Sequence, residues 1–161
     1  MKEIPIRDRH GIVAFAKVDD CDFEKLNAFR WHIVKDGKRR YAQRSYRANG
    51  KKFNLRMHRE ILGLKKSYHY GDHVDGDGLN NQRENIRKCS NAQNQMNCVG
   101  RKKGYKGVHT HGKKWRAYIK KNQKSINLGT FDTELDAAKA YNEAANRLFG
   151  EFARLNLLME K

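Results

Sequence analysis

One stretch of this chain, residues 71–97, constrains both the local fold and the chemistry. It reads GDHVDGDGLNNQRENIRKCSNAQNQMN. The glycines and asparagines between residues 75 and 82 are turn formers, because both residue types tolerate positive φ. Ser90 opens a capping box, in which its hydroxyl accepts from a backbone N–H three residues on and the Gln93 side chain reaches back. The stretch therefore predicts a strand, a loop, a second strand and then a helix.

Three side chains of this stretch suit metal-assisted phosphodiester chemistry. Asp72 and Asn94 offer a carboxylate and a carboxamide oxygen, which are hard ligands suited to Mg²⁺, an ion that takes few protein ligands. His73 is an imidazole that can take a proton from water when it is neutral, while a metal stabilises the charge that builds on the phosphate. Adjacent strand residues point to opposite faces, so the first strand must end or twist near Asp72 and His73.

The run DHVDGDGLNNQRENIR followed by CSNAQN resembles the HNH nuclease motif, in the form common in phage and intron-borne homing endonucleases. The resemblance implies that His73 is the general base, and that Asn85 braces the strand–loop–helix unit and orients the histidine. It also implies that Asp72 and Asn94 hold Mg²⁺ or another divalent cation such as Mn²⁺. The products would carry 5′-phosphate and 3′-hydroxyl ends.

Two other interpretations of the stretch are weaker. Asn-rich turns with one His are common in surface loops, and each residue alone is more often a turn former than a ligand. Asp72, Asp75 and Asp77 lack the spacing of a Ca²⁺ loop, and the glutamate that ends an EF-hand loop is absent. The joint occurrence of all four motif residues favours the nuclease interpretation.

The charge of the chain indicates nucleic acid as its partner. The 161 residues carry 35 Lys+Arg against 18 Asp+Glu, a net charge of +17, with 10% aromatic residues and one Pro. Such a chain is typical of a folded nucleic-acid binder rather than a disordered tail. Three cysteines without a CxxC pair argue against a zinc or disulfide framework.

Localisation follows from apolar patterning. No run has the length of a membrane span or the form of a signal peptide. We therefore expect a cytoplasmic protein without a membrane partner. The HNH resemblance implies that it is encoded by a phage or mobile element and acts on double-stranded DNA in the host cell. No heptad seam or long apolar helix indicates a dimer interface, so we expect a monomer without a protein partner.

The residues before this stretch carry strand and helix patterns. Residues 11–18 and 39–47 have the composition of strands, FEKLNAFRWHIV between them mixes a short helical pattern with another strand, and residues 54–64 turn helical. Alternation in RRYAQRSYR places arginines on one face of the strand. Two roles of this face are equally favoured, a solvated surface and a contact with phosphates. His58–Arg59 resembles a segment that precedes the HNH unit in phage enzymes, and packing is its expected role.

A second module is predicted after a basic, glycine-bearing linker at residues 99–104. A capping signature at Thr133 opens a helix that Gly150 closes, and its alanines let it lie close on a sheet. The three strands of that sheet are predicted at Tyr105–His109, Trp115–Lys120 and Lys124–Leu128.

The alternation of side chains along a strand predicts which residues of this sheet are exposed. With Ala117 and Ile119 under the helix, Arg116, Tyr118 and Lys120 face outward, joined by Ser125 and Asn127. The pattern KGVHTHGKKWRAYIKKNQKSINLGTFDTELDAAKAYNEAANRLFG resembles the plant ethylene-response-factor (Apetala) DNA-binding domain, which lays such a sheet in the major groove. The resemblance carries no target sequence, because the Arg and Trp that read bases in plants are replaced. The positions that match them here are His109, His111, Tyr118, Lys120, Ser125 and Asn127.

Together these patterns predict an α+β protein. Residues 1–98 form an α+β domain with the HNH ββα-metal unit at 71–97, and residues 105–161 form a three-stranded antiparallel sheet packed on one helix. We expect a homing-type HNH endonuclease that hydrolyses phosphodiester bonds and nicks one strand of a specific duplex site, because the motif occurs once. The alternatives are a non-enzymatic DNA-binding regulator with a degenerate nuclease unit, and an RNA-binding protein, which rests only on charge and exposed aromatics.

Overall fold

The computed structural model describes residues 1–66, 69–98 and 104–159. In these ranges the chain forms antiparallel sheets and α-helices, a mixed α+β fold in which strands predominate, so the predicted α+β class is confirmed. The chain divides into two compact units, Met1–Ser90 and Asn91–Lys161. The predicted linker lies outside the described residues except for Gly104, and the predicted domain limits stay a prediction.

The described residues of the first unit form three antiparallel sheets and two short helices. Strands β1 and β2 form one hairpin, β3, β4 and β5 form a three-stranded sheet in that order, and β6 and β7 form a second hairpin. In chain order the elements are β1 Lys2–Arg7, β2 Ile12–Val18, α1 Asp20–Asn27, β3 His32–Asp36, β4 Arg39–Ala48, β5 Lys51–Arg56, α2 Met57–Ile61, β6 Tyr70–His73 and β7 Ile86–Cys89.

The core of the first unit is aliphatic and surrounds one tryptophan. Trp31 is fully buried, and its indole N–H donates to the Leu26 carbonyl at 2.7 Å, so its one polar atom is satisfied. Leu79, from the loop between β6 and β7, belongs to this core and anchors that loop in the body of the unit. The other members are Ile4, Ile6, Ala16, Val18, Leu26, Ala42 and Met57.

One sequence prediction for this unit was wrong, and one strand was not predicted. The predicted helix over residues 54–64 is only α2, because residues 54–56 continue strand β5. The turn at Asn49–Gly50 has positive φ at both residues, which suits a tight hairpin, and the ladder it starts continues through Arg56. Strand β1 was not predicted, because Pro5 and three charged residues mask its alternation.

The second unit is a three-stranded antiparallel sheet in the order β10, β9, β8, covered by a long helix. The turn between β9 and β10 has φ of 49° at Asn122 and 66° at Gln123, which gives the type I′ geometry that tight hairpins favour. Its elements are α3 Asn91–Met96, β8 Val108–His111, β9 Lys114–Lys121, β10 Lys124–Phe131, α4 Glu134–Phe149 and a 3₁₀ turn at Gly150–Phe152.

The helix α4 begins and ends where the sequence predicted. The Thr133 hydroxyl accepts from the Asp136 backbone N–H at 3.0 Å, and Gly150 takes a φ of +53° at the C-cap. Ala117 and Ile119 of β9 lie buried beneath the helix, whose alanines bring it close to the sheet. The buried alanines of the helix are Ala137, Ala138, Ala144 and Ala145.

The first strand of this sheet starts later than predicted, at Val108 instead of Tyr105. Gly107 has a φ of +76°, and a Cβ there would lie 2.2 Å from the Tyr141 ring. The Gly107 carbonyl accepts from the Tyr118 N–H at 2.7 Å. The chain therefore passes tightly over the α4 side of the sheet before it becomes a strand.

Helix α3 starts directly after Ser90, as predicted, and belongs to the second unit. Its Met96 packs against the cluster that contains Ile119 and Tyr141, and its last carbonyl accepts from Lys106 Nζ at 2.7 Å. None of the described helices has the length and apolar character needed to cross a membrane.

Candidate active site

The predicted catalytic pair lies at the end of strand β6. In the antiparallel pairing, Asp72 lies opposite Arg87 and His73 opposite Ile86. The strand ends at His73, and the Val74 N–H donates to the Asn85 carbonyl at 2.8 Å as the chain turns. Asp72 and His73 are 2% and 5% exposed, so both polar side chains are held inside the protein.

Asp72 forms a buried ion pair with Arg87. The Asp72 Oδ2 atom accepts from Arg87 Nη2 at 2.9 Å and from Nε at 3.2 Å, and the Arg87 side chain is 15% exposed. The Arg87 guanidinium group offsets part of the cost of burying this carboxylate. Arg87 was not predicted as a site residue, although its position across the hairpin from Asp72 explains its role.

The donor chemistry at Asp72 fits a divalent cation. Among the described residues no three His, Cys, Asp or Glu side chains cluster as a metal site. Mg²⁺ does not require such a cluster, because it keeps several waters and takes one or two carboxylates. Asn94, the other predicted ligand, lies partly exposed on α3 in the second unit. The joint role of Asp72 and Asn94 stays a prediction.

His73 packs in an aromatic cluster. Its ring lies edge-on to the His58 ring, with 4.7 Å between centroids, and 5.8 Å from the Tyr41 ring. Burial lowers the pKa of His73, against the opposing effect of its Asn81 contact and of the carboxylates of Asp75, Asp72 and Asp77. The imidazole is therefore neutral near pH 7, which is the form that a general base requires.

His58 is the most strongly perturbed member of the cluster. It is 4% exposed, and its Nδ1 atom has no hydrogen-bond partner among the described residues. Burial lowers the pKa of His58 to about 2, aided by the nearby His73 imidazole and by the positive charges of Arg56 and Arg59. Gly71 makes room for this ring, because a Cβ at that position would lie 2.7 Å from His58 Cδ2.

Asn85 braces the loop between the two strands. Its side-chain nitrogen donates to Asp75 Oδ1 at 3.0 Å and to the Asn80 carbonyl at 2.8 Å. Its side-chain oxygen accepts from the Asp75 N–H at 3.0 Å. Asn85 thus closes the loop at both ends, and its predicted catalytic role stays a prediction.

Asp75 is the centre of the hydrogen bonds in this loop. Burial alone raises the pKa of Asp75, but hydrogen bonds from Asn80, the Asp77 backbone and Asn85 outweigh it and the pKa lies below its ordinary value. The carboxylate accepts from the Asp77 N–H at 2.7 Å and from Asn80 Nδ2 at 2.8 Å. The loop conformation therefore depends on an ionised Asp75.

The loop is also fastened to strand β2. The Lys17 N–H donates to the Leu79 carbonyl at 2.9 Å, and the Lys17 carbonyl accepts from the Asn81 N–H at 2.8 Å. Gly78 lies so close to β4 that a Cβ would meet the Arg40 carbonyl at 2.3 Å. The sequence marked Asn80 and Asn81 only as turn formers, since nothing local signals their contacts with distant strands.

The predicted DNA-binding residues share the outer face of the second unit's sheet. Arg116, Tyr118 and Lys120 alternate with the buried residues of β9, and cross-strand partners share a face. His109 pairs with Arg116, Asn127 with Tyr118 and Ser125 with Lys120, while His111 lies two residues beyond His109 on the same face. The structure therefore brings all seven predicted residues together on one surface.

This surface is organised around Arg116. The guanidinium group donates to the Tyr118 hydroxyl at 3.1 Å and contacts His111 Nε2, and its Nε is buried without a partner among the described residues. Asn127 holds a β-bulge, where its side-chain oxygen accepts from the Gly129 N–H at 3.1 Å. Lys120, Ser125 and Asn127 remain exposed. The surface is polar, basic and aromatic.

Comparison with known proteins gives partial matches to two kinds of protein. An uncharacterized HNH endonuclease of Acanthamoeba polyphaga mimivirus is 29% identical over 153 residues, which cover 91% of this chain and 75% of that protein. The dehydration-responsive element-binding protein 2D of Arabidopsis thaliana is 49% identical over 57 residues, 33% of this chain and 27% of that protein.

A putative dehydration-responsive element-binding protein 2H of the same plant is 36% identical over 95 residues, which cover 52% of this chain and 57% of that protein. The chain therefore spans less than two thirds of either plant relative. No family model and no solved structure matches the chain.

Proposed function

We propose that this chain is an HNH DNA endonuclease of the homing type, dependent on a divalent cation. The observation that carries the proposal is the buried, neutral His73 beside the Asp72–Arg87 pair at the end of β6. The similarity to the mimivirus protein, which extends over 91% of the chain, supports the same reaction class.

In the proposed reaction, His73 takes a proton from a water molecule whose oxygen forms a new bond to phosphorus. The bond from phosphorus to the 3′ oxygen breaks, and solvent protonates that oxygen, which leaves a 5′-phosphate and a 3′-hydroxyl. Asp72 and Asn94 would hold Mg²⁺ or Mn²⁺, which when bound supplies charge stabilisation at the phosphate and the leaving oxygen. Asn85 and Asp75 keep the loop in its working shape through their mutual hydrogen bonds.

The outer face of the second unit's sheet is proposed to bind the duplex. Lys120 and Arg116 provide positive charge there, and Tyr118, Ser125 and Asn127 provide groups that can contact base edges or phosphates. The partial match to two plant proteins named as element-binding proteins supports DNA as the partner. A monomer is proposed to cut one strand, because the sequence holds one copy of the motif and one such centre acts on one phosphodiester at a time.

Digestion of supercoiled plasmids that carry genomic DNA fragments from the source organism tests this proposal, with Mg²⁺ and with EDTA. We expect nicked circles to accumulate only with the cation, and strand-specific end labels to locate the cut on one strand. Linear product without a nicked intermediate, at a rate that rises with the square of enzyme concentration, would indicate a dimeric cutter. Tight DNA binding without any cleavage, with every cation tried, would identify a non-enzymatic DNA-binding regulator instead.

A further inference from the structure

We propose that Asn81 is the residue that orients His73 and fixes its tautomer, a role that the family resemblance assigns to Asn85. Its catalytic consequence rests on the proposed function, whereas the tautomer itself is a property of the folded protein. The inference comes from the hydrogen bonds of two asparagines in one loop.

Asn81 is the most deeply buried polar side chain of this loop among the described residues, with 0% exposure. Its backbone N–H is held by the Lys17 carbonyl, and its side-chain Nδ2 donates to the Leu79 carbonyl at 3.1 Å. These two contacts fix the amide, and its Oδ1 then faces His73 Nε2 at 3.4 Å. Such hydrogen bonds are often long in an enzyme without its substrate.

The identity of the facing atom decides where the proton of His73 sits. A carboxamide oxygen has lone pairs and no hydrogen, so it accepts and does not donate. The His73 Nε2 atom must therefore carry the proton in the neutral ring. The lone pair that can take a proton from water is then on Nδ1.

Neighbouring rings keep His73 in this orientation. His58 lies edge-on at 4.7 Å and Tyr41 at 5.8 Å, and the His73 side chain is buried. A flip of the imidazole would replace Nε2 with a ring carbon opposite Asn81 Oδ1 and lose the hydrogen bond. Close packing on the ring and the directed acceptor of Asn81 thus favour one orientation.

Asn85 is poorly placed for the same role. A carboxamide nitrogen has two donors, and Asn85 uses them on Asp75 and on the Asn80 carbonyl. Its oxygen accepts from the Asp75 N–H. Asn85 therefore shapes the loop, whereas Asn81 contacts the ring.

Nuclear magnetic resonance of the full chain with ¹⁵N-labelled histidine tests the inference. Long-range ¹H–¹⁵N correlations distinguish protonated from unprotonated ring nitrogens, and the His73 signals are assigned by their loss in His73→Gln. Near neutral pH we expect wild-type His73 to carry its proton on Nε2. In Asn81→Ala we expect a mixture of both tautomers, whereas Asn85→Ala should keep the Nε2–H form.

Asn81→Asp is the conservative variant, because its carboxylate keeps an acceptor oxygen toward His73 Nε2 and gives up only the Nδ2 donor to the Leu79 carbonyl. It should keep the Nε2–H tautomer that Asn81→Ala loses. In the plasmid assay, Asn81→Ala should lower the cleavage rate on the order of 10²-fold at unchanged DNA affinity, since misplacing a reacting group has this effect.

Wild-type His73 protonated on Nδ1, or an Asn81→Ala protein that retains pure Nε2–H, would overturn the inference. If both Asn81 variants fail to fold, the wild-type tautomer and that of Asn85→Ala still decide it. An inactive wild-type enzyme with the expected tautomer would refute the proposed nuclease but leave the role of Asn81 intact.

Discussion

His73 in the first unit is 5% exposed and fixed by packing and an asparagine, whereas Lys120 in the second unit stands exposed on the outer face of a regular sheet. The first arrangement suits proton transfer, which needs preorganised groups that are shielded from bulk solvent. The second suits contact with a charged duplex, which needs accessible donors on a rigid frame. The comparison teaches that the two units should respond to different conditions, the first to pH and the second to salt.

The largest effect is expected at His73. Its replacement by Ala removes the proposed base and no phosphate contact, so cleavage should slow on the order of 10²–10⁴-fold. Plasmid nicking measures the rate, and a gel-shift titration should show almost unchanged affinity. His10→Ala, at an exposed hairpin position, is the control and should leave both unchanged. Near wild-type nicking by His73→Ala would remove His73 from the mechanism.

The next effect is a loss of stability in acid that depends on His58. The pKa of His58 in the folded protein is about 2, below the ordinary 6.5. As pH falls below 6.5, His58 therefore binds a proton in the unfolded state and stays neutral in the folded state. The free energy of unfolding should then fall by about 1.4 kcal/mol per pH unit, or about 2–3 kcal/mol between about pH 6.5 and 4.5.

Urea denaturation over this pH range measures that loss. His58→Gln keeps a polar side chain that does not titrate, so its stability should depend less on pH by about the same amount. Equal slopes for the wild type and His58→Gln would show that His58 titrates normally in the folded protein.

A smaller effect tests where the second unit begins. Residues 91–161 include Met96, which packs against the cluster under α4, while residues 101–161 lack it. We expect the free energy of unfolding of the longer fragment to be higher by about 1 kcal/mol. For a domain of this size, that difference corresponds to a melting temperature about 4–8 °C higher. Met96→Ala in the longer fragment should reproduce most of the difference. Equal melting temperatures would place the boundary after α3.

The smallest effect concerns one exposed lysine. If Lys120 contacts a phosphate, Lys120→Ala should reduce the slope of log affinity against log salt by about one. Lys139, half exposed on α4, is the matched control, and Lys139→Ala should leave the slope unchanged. Fluorescence anisotropy at several salt concentrations gives both slopes. Identical losses in the two variants would show a diffuse charge effect without a defined contact.

How far the sequence predicts this protein depends on the range of each interaction. The Thr133 cap, the Asn122–Gln123 turn and the end of β6 at His73 were predictable, because each is determined by residues within a few positions. Arg87 was missed because its importance arises only when β7 pairs with β6 and a buried carboxylate needs a cation.

The roles of Asn81 and Tyr41 were missed for a related reason. The position of Asn81 depends on the Lys17 backbone, and that of Tyr41 depends on His58 and His73 packing against it. None of these partners is a neighbour in sequence. A motif therefore predicts which side chains react, while the contacts that orient them come from the rest of the fold.

The two backbone hydrogen bonds of Lys17 have a consequence for protein engineering. They secure Leu79 and Asn81 through main-chain atoms, so any side chain should serve at position 17 except proline, which has no N–H to give. Residues 71–90 are accordingly not a self-contained unit that can be transferred to another protein. In another scaffold without the edge of strand β2, this hairpin would keep its side chains but lose the two backbone hydrogen bonds that hold its loop in place.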